Sequence, residues 1–237
     1  MRLEQLFKQI ERFLCGNTVW DNRATVSTLL DILTIFSRND IKQELLKELD
    51  RHSNVLSQIS QTQGVDTRKL EDLIVDLDAI SNDLYASSGK IGLDLMQSEL
   101  FKSISQRSSI PGGSCAFDLP EYHYWLQQSE QSRQHDLEQW LKPFETIQNA
   151  ISIILQFIRE STDCSMETAD SGFFQQSLDH TQSFQLLRVG IERLSPYFAE
   201  ISGGKHRFTV RFMEADTTNR PTQTDKNIQF ALTRCLF

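Results

Sequence analysis

The chain has 237 residues, of which 39% are hydrophobic and 24% charged, and it contains five prolines. This composition is typical of a globular protein and excludes a disordered or collagen-like chain; the length suits one large domain or two small ones. The formal net charge is −8, so the surface as a whole is not expected to attract nucleic acid or an anionic membrane.

The charge is unevenly distributed. Residues 1–160 carry 23 acidic and 16 basic side chains, whereas residues 161–237 carry 9 and 8, which leaves room for a local basic patch. No leader-like N-terminus and no run of about 18 apolar residues is present. We therefore expect a cytoplasmic protein without membrane insertion. Four scattered cysteines show no metal-binding or redox spacing, are typical of reduced thiols, and give no reason to expect a metal or cofactor: Cys15, Cys115, Cys164 and Cys235.

Helical periodicity dominates the first two-thirds of the chain, where apolar residues recur at spacings of three and four. Two long segments, 40–61 and the one after Gly64 that Asp66 would cap, are predicted to form an antiparallel helix hairpin. His52 lies on the apolar seam of the first and is interpreted as a core histidine. The remaining predicted helices cover the first residues to 14, 22–37, 93–107, 130–141 and a last helix that Pro143 begins.

Residues 109–120 contain too many helix breakers for a helix, and we predict an ordered loop with buried anchors, including Cys115. Cys115 and His123 could be imagined as nucleophile and base, but no third group supports them. Ser88-Gly89-Lys90 imitates the end of a phosphate-binding loop without the preceding strand and glycines. The sequence therefore predicts no enzyme.

After residue 161 the apolar period changes from 3.6 to 2, which predicts strands at 185–191, 207–212 and 228–232. Ser202-Gly203-Gly204-Lys205 predicts a hairpin turn, and the polar stretches 161–182 and 214–226 are predicted to be loops. The predicted fold class is α+β. A mostly helical domain (1–160) contains the long helix hairpin, and a small antiparallel β-strand domain (161–237) follows; packing of the latter with the N-terminal region as one unit stays open.

Arg207 and Arg211 are expected on one face of a strand, with Lys205 and His206 at the adjoining turn and phenylalanines on the opposite face. Two interpretations stay open. The arginines could pair with carboxylates across the sheet, or they could bind an anionic peptide or phosphate. A nucleic-acid-binding module that uses Lys205–Arg211 is an alternative function, although the aromatic residues of this strand alternate to the core side and predict no stacking platform.

Three segments in order resemble the ZapD family of cell-division proteins: Leu45–Arg51, Ser109–Leu126 with its Ile-Pro-Gly-Gly and Phe-Asp-Leu-Pro, and Ile201–Met213 with Ser-Gly-Gly-Lys. The resemblance implies a helical domain with a β-strand domain and a symmetric homodimer. It also implies binding to the acidic and apolar C-terminal tail of FtsZ. Such a dimer would cross-link and bundle FtsZ protofilaments at the mid-cell division ring, favour ring assembly and lower FtsZ GTPase activity.

By position, the resemblance implies tail contacts at Arg2, His123 and Arg207, while charge and location add Arg38, Lys205 and Arg211. Two departures accompany it. An extended segment that precedes the first helix in relatives is absent, which predicts either an upstream start or a β-domain without one edge strand. Glu99 stands where relatives can carry an arginine, which predicts a less positive pocket.

Overall fold

The computed structural model of the chain describes residues 1–60, 67–87, 91–179, 184–204, 206–216 and 218–236, with the backbone alone at 59–60 and 67–70. The chain forms two compact units, Met1–Ile154 and Leu155–Phe237, called unit 1 and unit 2 below. Unit 1 is helical, and all described strands lie in unit 2. The fold class is α+β, as predicted.

The helices follow the predicted periodicity, and a 3₁₀ turn at Lys142–Phe144 that contains Pro143 precedes the last of them. The expected break at Gly64 and cap at Asp66 lie outside the described residues. The helices are α1 Arg2–Leu14, α2 Val19–Arg38, α3 Ile41–Ser60, α4 Thr67–Ala86, α5 Leu93–Gln97, α6 Glu99–Ser108, α7 Pro120–Leu126, α8 Glu130–Leu141 and α9 Glu145–Glu160.

A capping box fixes the start of α2 three residues earlier than predicted. The Asp21 backbone N–H donates to the Thr18 hydroxyl oxygen at 3.1 Å, and the Thr18 N–H donates to the Asp21 carboxylate at 3.1 Å. The hydrogen bonds from the Thr18 side chain and backbone lower the pKa of Asp21. Two N–H groups that would otherwise lack partners at the helix start are thereby satisfied.

Helices α3 and α4 form the predicted antiparallel hairpin. The Lys42 ammonium donates to the Ser87 carbonyl at one end, and the Ser53 hydroxyl donates to the Asp78 carboxylate 3.3 Å away farther along. His52 is fully buried on this seam, and burial lowers its pKa to about 4. The imidazole is therefore neutral at pH 7, as a core histidine should be.

The loop before α7 is ordered differently from the prediction. Leu119 is buried, but Cys115 is exposed and Phe117 is 92% exposed, so the expected anchoring of Cys115 in the core is wrong. Successive backbone hydrogen bonds close the loop, among them Gly113 N–H to Ile110 C=O at 2.9 Å and Leu119 N–H to Cys115 C=O at 3.0 Å. Because its own turns satisfy the backbone, the loop needs few buried side chains.

Unit 2 contains two antiparallel sheets rather than the single sheet predicted. One has the strand order β1-β7-β3 and the other β2-β5-β4, with the short β6 on β5. A shared core joins them; the rings of Phe212 and Phe230, one from each sheet, are 5.1 Å apart. The strands are β1 Ser165–Ala169, β2 Phe173–Ser177, β3 Phe184–Gly190, β4 Tyr197–Gly203, β5 Arg207–Glu214, β6 Thr222–Gln223 and β7 Ile228–Leu236.

The prediction that 161–182 is a loop is wrong, because β1 and β2 lie within it. Ser171 and Gly172 adopt φ angles of 47° and 69°, and the Phe173 N–H donates to the Asp170 C=O at 2.9 Å. This tight turn carries the chain from one sheet to the other. The predicted loop 214–226 likewise contains β6. The predicted hairpin turn after Ser202 is confirmed: it joins β4 to β5, and the Gly204 N–H donates to the Arg207 C=O at 2.9 Å.

Candidate functional site

Strand β5 separates cations from core side chains. Phe208, Val210 and Phe212 are completely buried, whereas Arg207 and Arg211 are exposed on the opposite face. The alternation follows from the two-residue period of a strand, and the buried phenylalanines fix the orientation of the whole strand. The two guanidinium groups therefore share one solvent-facing surface of unit 2, called the β5 face below.

The neighbours of the arginines are set by strand register. Arg211 lies opposite Glu200 of β4 and Phe173 of β2, while Arg207 lies opposite Ser177 of β2. Within the described part of the chain, no carboxylate lies within 4.0 Å of either guanidinium. Glu200 is thus a cross-strand neighbour of Arg211 that lowers the local positive charge without forming a direct ion pair.

Exposed aromatic rings also lie on the β5 face, which the sequence did not predict. Phe173 and Phe198 are 38% and 37% exposed, and they stand opposite Arg211 and Met213. The expectation that no aromatic ring accompanies the arginines holds within β5 and is wrong for the sheet. Neighbouring strands supply the rings, and one of those strands was predicted to be a loop.

Three candidate cations belong to unit 1. Arg2 is the first residue of α1, Arg38 is the last residue of α2, and His123 lies on α7; all three are exposed. Arg38 lines a cavity of about 340 Å³ together with Lys42 and Asp40. Lys205 lies outside the described residues.

Arg38 and His123 lie at opposite ends of α2. The Arg23 guanidinium, near the start of α2, lies 5.2 Å from the centre of the Tyr122 ring, next to His123 in α7. Arg38 follows 15 residues later in the same helix, roughly 22 Å along its axis. The structure therefore does not bring these two side chains into one pocket.

Trp20, Arg23 and Tyr122 form a stack that sequence reasoning missed. The Arg23 guanidinium lies 5.7 Å from the Trp20 ring centre and donates to the Ser114 carbonyl at 3.1 Å. Trp20 is 77% exposed, and burial raises the pKa of Tyr122 to about 12, so the phenol stays neutral. Only the rarity of an exposed tryptophan in a helix could have suggested the stack from sequence, because its members are 100 residues apart.

Glu99, at the position where an arginine was expected, forms an ion pair with Lys102 at 2.8 Å. The pair is exposed and one helical turn long, so its energy is small. It nevertheless places a carboxylate against a lysine at the start of α6. The local charge is close to neutral there instead of strongly positive.

The catalytic and metal-binding alternatives have little geometric basis in the ranges that the structure describes. Cys115 donates its thiol to the Asp118 carboxylate at 3.3 Å, and no group of three or more His, Cys, Asp or Glu side chains is arranged to hold a metal. Ser88-Gly89-Lys90 lies outside those ranges. None of the described helices combines the length and hydropathy that crossing a membrane requires.

Comparison with known proteins decides the family. A family model described as "ZapD: Cell division protein" matches residues 1–211. This chain belongs to the ZapD family. The ZapD of Methylococcus capsulatus is 48% identical over 236 residues, with 100% of this chain and 92% of the relative covered. Those of Nitrosomonas europaea and Aromatoleum aromaticum are 36% and 33% identical over 235 residues, covering 99% of this chain and 89% and 91% of theirs.

The predicted resemblance to the ZapD family is confirmed, and with it a role in cell division. The matched region includes both arginines of the β5 face, the Trp20–Arg23–Tyr122 stack and the cations of unit 1. Membership of the ZapD family names a process. The partner, the assembly and the contact residues are addressed by proposal below.

Proposed function

We propose that this ZapD protein binds the C-terminal tail of FtsZ and, as a homodimer, cross-links and bundles FtsZ protofilaments. In this proposal it acts in the cytoplasm, is recruited to the mid-cell division ring, favours ring assembly and lowers FtsZ GTPase activity, and performs no catalysis itself. The observation that carries it is the β5 face, where Arg207 and Arg211 are exposed without a direct carboxylate partner among the described residues. Such cations on an acidic chain suit an anionic partner.

The first step is electrostatic capture of the tail. Guanidinium groups bind carboxylates in a bidentate geometry, and their positive charge attracts an acidic segment before contact is made. Arg207 and Arg211 are assigned this role, and Phe173 offers an apolar contact beside them. Because the face is exposed, salt screens the attraction within about 10 Å at 0.1 M ionic strength.

The remaining candidates complete the contact set. We assign Arg2, Arg38 and His123 on unit 1, and Lys205 from its place in the sequence, to contacts with the same anionic partner. A disordered tail loses conformational entropy when it is ordered, so each single site should bind with modest affinity. Two sites on a dimer then gain avidity on a polymer, where tails are locally concentrated.

Charge reversal on β5 tests the proposal. In co-sedimentation with polymerised FtsZ, Arg207→Glu should weaken binding at least fivefold, about 1 kcal/mol, because a carboxylate would then face the acidic tail. The matched control is Arg193→Glu, an exposed arginine in the connection between β3 and β4. Equal binding by wild type and the Arg207 variant would remove the β5 face from the interaction.

Nucleic-acid binding is the second candidate, and the exposed Phe173 opposite Arg211 is the observation that favours it, because bases stack on such rings. Glu200 on the same face and the net charge of −8 oppose it. The same variants decide between the two. Nucleic-acid binding predicts that wild type retains a labelled single-stranded oligonucleotide with a steep salt dependence and leaves FtsZ sedimentation unchanged.

A further inference from the structure

A continuous groove runs along α2 in unit 1. It consists of three cavities of about 440, 300 and 340 Å³, and neighbouring cavities share lining residues. Leu30 lines the first and second, and Ser37 lines the second and third. From Arg23 at one end to Arg38 at the other, the groove follows 15 residues of helix, roughly 22 Å.

The floor of the groove is apolar and its rim is polar. Leu33 and Ile104 are almost fully buried, and Leu30 is half-buried above them. The rim carries exposed hydroxyl groups at Ser27 and Thr34. An apolar floor with polar edges is the arrangement found in sites that bind peptide side chains and orient the peptide by its polar groups.

The charge of the lining is positive although the chain is acidic. Among the described lining residues of the three cavities, Arg23, Lys102, Arg38 and Lys42 are basic, and Asp40 is the single acidic one. The cations lie at both ends and near the middle. This distribution complements a segment with carboxylates towards its ends and apolar side chains between them.

One end of the groove carries a pre-organised anchor. The Arg23 guanidinium is held against Trp20 and Tyr122 and by its hydrogen bond to Ser114, so little side-chain entropy remains to be lost on binding. Exposed tryptophan, tyrosine and arginine are the residues that most often dominate binding energy at interfaces.

We propose that the α2 groove binds an extended acidic and apolar segment of a partner protein. At about 3.3 Å per residue, the roughly 22 Å groove takes about seven residues of extended chain. Carboxylates would meet Arg23 and Arg38, and apolar side chains would occupy the floor beside Leu30. This inference rests on the proposed function, because the FtsZ tail is the partner segment to which it is applied.

Filling the groove tests the proposal. Ser27→Trp and Thr34→Trp place a bulky ring on exposed rim positions of α2, and Ser132→Trp does the same at an exposed serine of α8 that lines none of the three cavities. The probe is a fluorescein-labelled synthetic peptide of the FtsZ C-terminal tail, measured by fluorescence anisotropy. We expect Kd to rise at least tenfold in both groove variants and less than twofold in Ser132→Trp, with unchanged circular dichroism.

A photo-crosslinker provides a second measurement that does not depend on filling the groove. p-Benzoylphenylalanine at Ser105, on the groove rim, should crosslink the peptide, and the same group at Ser132 should not. Unchanged Kd in both groove variants, or an equal loss in Ser132→Trp, would overturn the groove and leave the proposed function standing. Failure of the wild-type protein to bind the peptide at all would overturn both.

Discussion

Arg133 is a buried arginine that holds three connections of unit 1 together. Its Nε donates to the Asn22 side-chain oxygen at 2.6 Å, and its Nη atoms donate to the carbonyls of Leu126 at 3.3 Å, Asn17 at 3.4 Å and Gln128. Replacing it would leave these acceptors without a donor in a region sealed from water. We expect Arg133→Met to lower the free energy of unfolding by about 2–4 kcal/mol in urea denaturation.

Arg12→Met is the control for that measurement, because Arg12 is exposed on α1 and its replacement should change the free energy of unfolding by less than about 0.5 kcal/mol. Similar losses in the two variants would contradict the role of Arg133. The sequence could not predict this role. Arg133 lies in a polar helix, and its acceptors come from other segments, so only tertiary packing buries it.

At the scale of elements, Arg234 joins the two sheets of unit 2. From β7 it donates to the Gln176 oxygen of β2 at 2.8 Å, the Ser165 hydroxyl of β1 at 2.8 Å and the Glu167 carboxylate of β1 at 2.6 Å. The hydrogen bond from Arg234, followed by that from Ser165, lowers the pKa of Glu167. Folding therefore favours the ionised carboxylate, and stability depends on pH through this group.

The sign of this pH dependence is defined. A lowered pKa in the folded state stabilises the protein above the unfolded-state pKa of about 4.5, and that stability is lost as pH falls through the folded-state value. We expect the free energy of unfolding to fall between about pH 6 and 3 by roughly 1 kcal/mol more in wild type than in Glu167→Gln. Glu192→Gln, an exposed carboxylate in unit 2, should leave the profile unchanged; parallel profiles for wild type and Glu167→Gln would contradict the role of the pair.

Helices were predictable because amphipathic periodicity and packing point to the same faces, as at Ile147, Ile151 and Ile154 of α9, which are buried. Strands β1 and β2 were missed because each has five residues and their outward positions are polar. The Ser171-Gly172 turn was the available signal, since such a dipeptide accepts positive φ. Assignment of a strand to one sheet or the other depends on long-range pairing, which no local pattern contains.

At the scale of the whole molecule, an acidic chain presents two local cationic surfaces, the β5 face of unit 2 and the α2 groove of unit 1. The sequence predicted the first from alternation within β5. It did not predict the second, because the groove is formed by α2, α6 and the loop before α7 together, at sequence separations of 70 to 90 residues. Family resemblance supplied the partner, which neither alternation nor charge could name.

The most direct test compares FtsZ with FtsZ that lacks its C-terminal tail, each polymerised and co-sedimented with this ZapD protein at low salt. The account predicts that full-length FtsZ carries the protein into the pellet and is bundled, and that removal of the tail abolishes both effects while FtsZ still polymerises. Equal co-sedimentation and bundling of tail-less FtsZ would contradict the account, because an acidic tail is the ligand to which both cationic surfaces have been assigned.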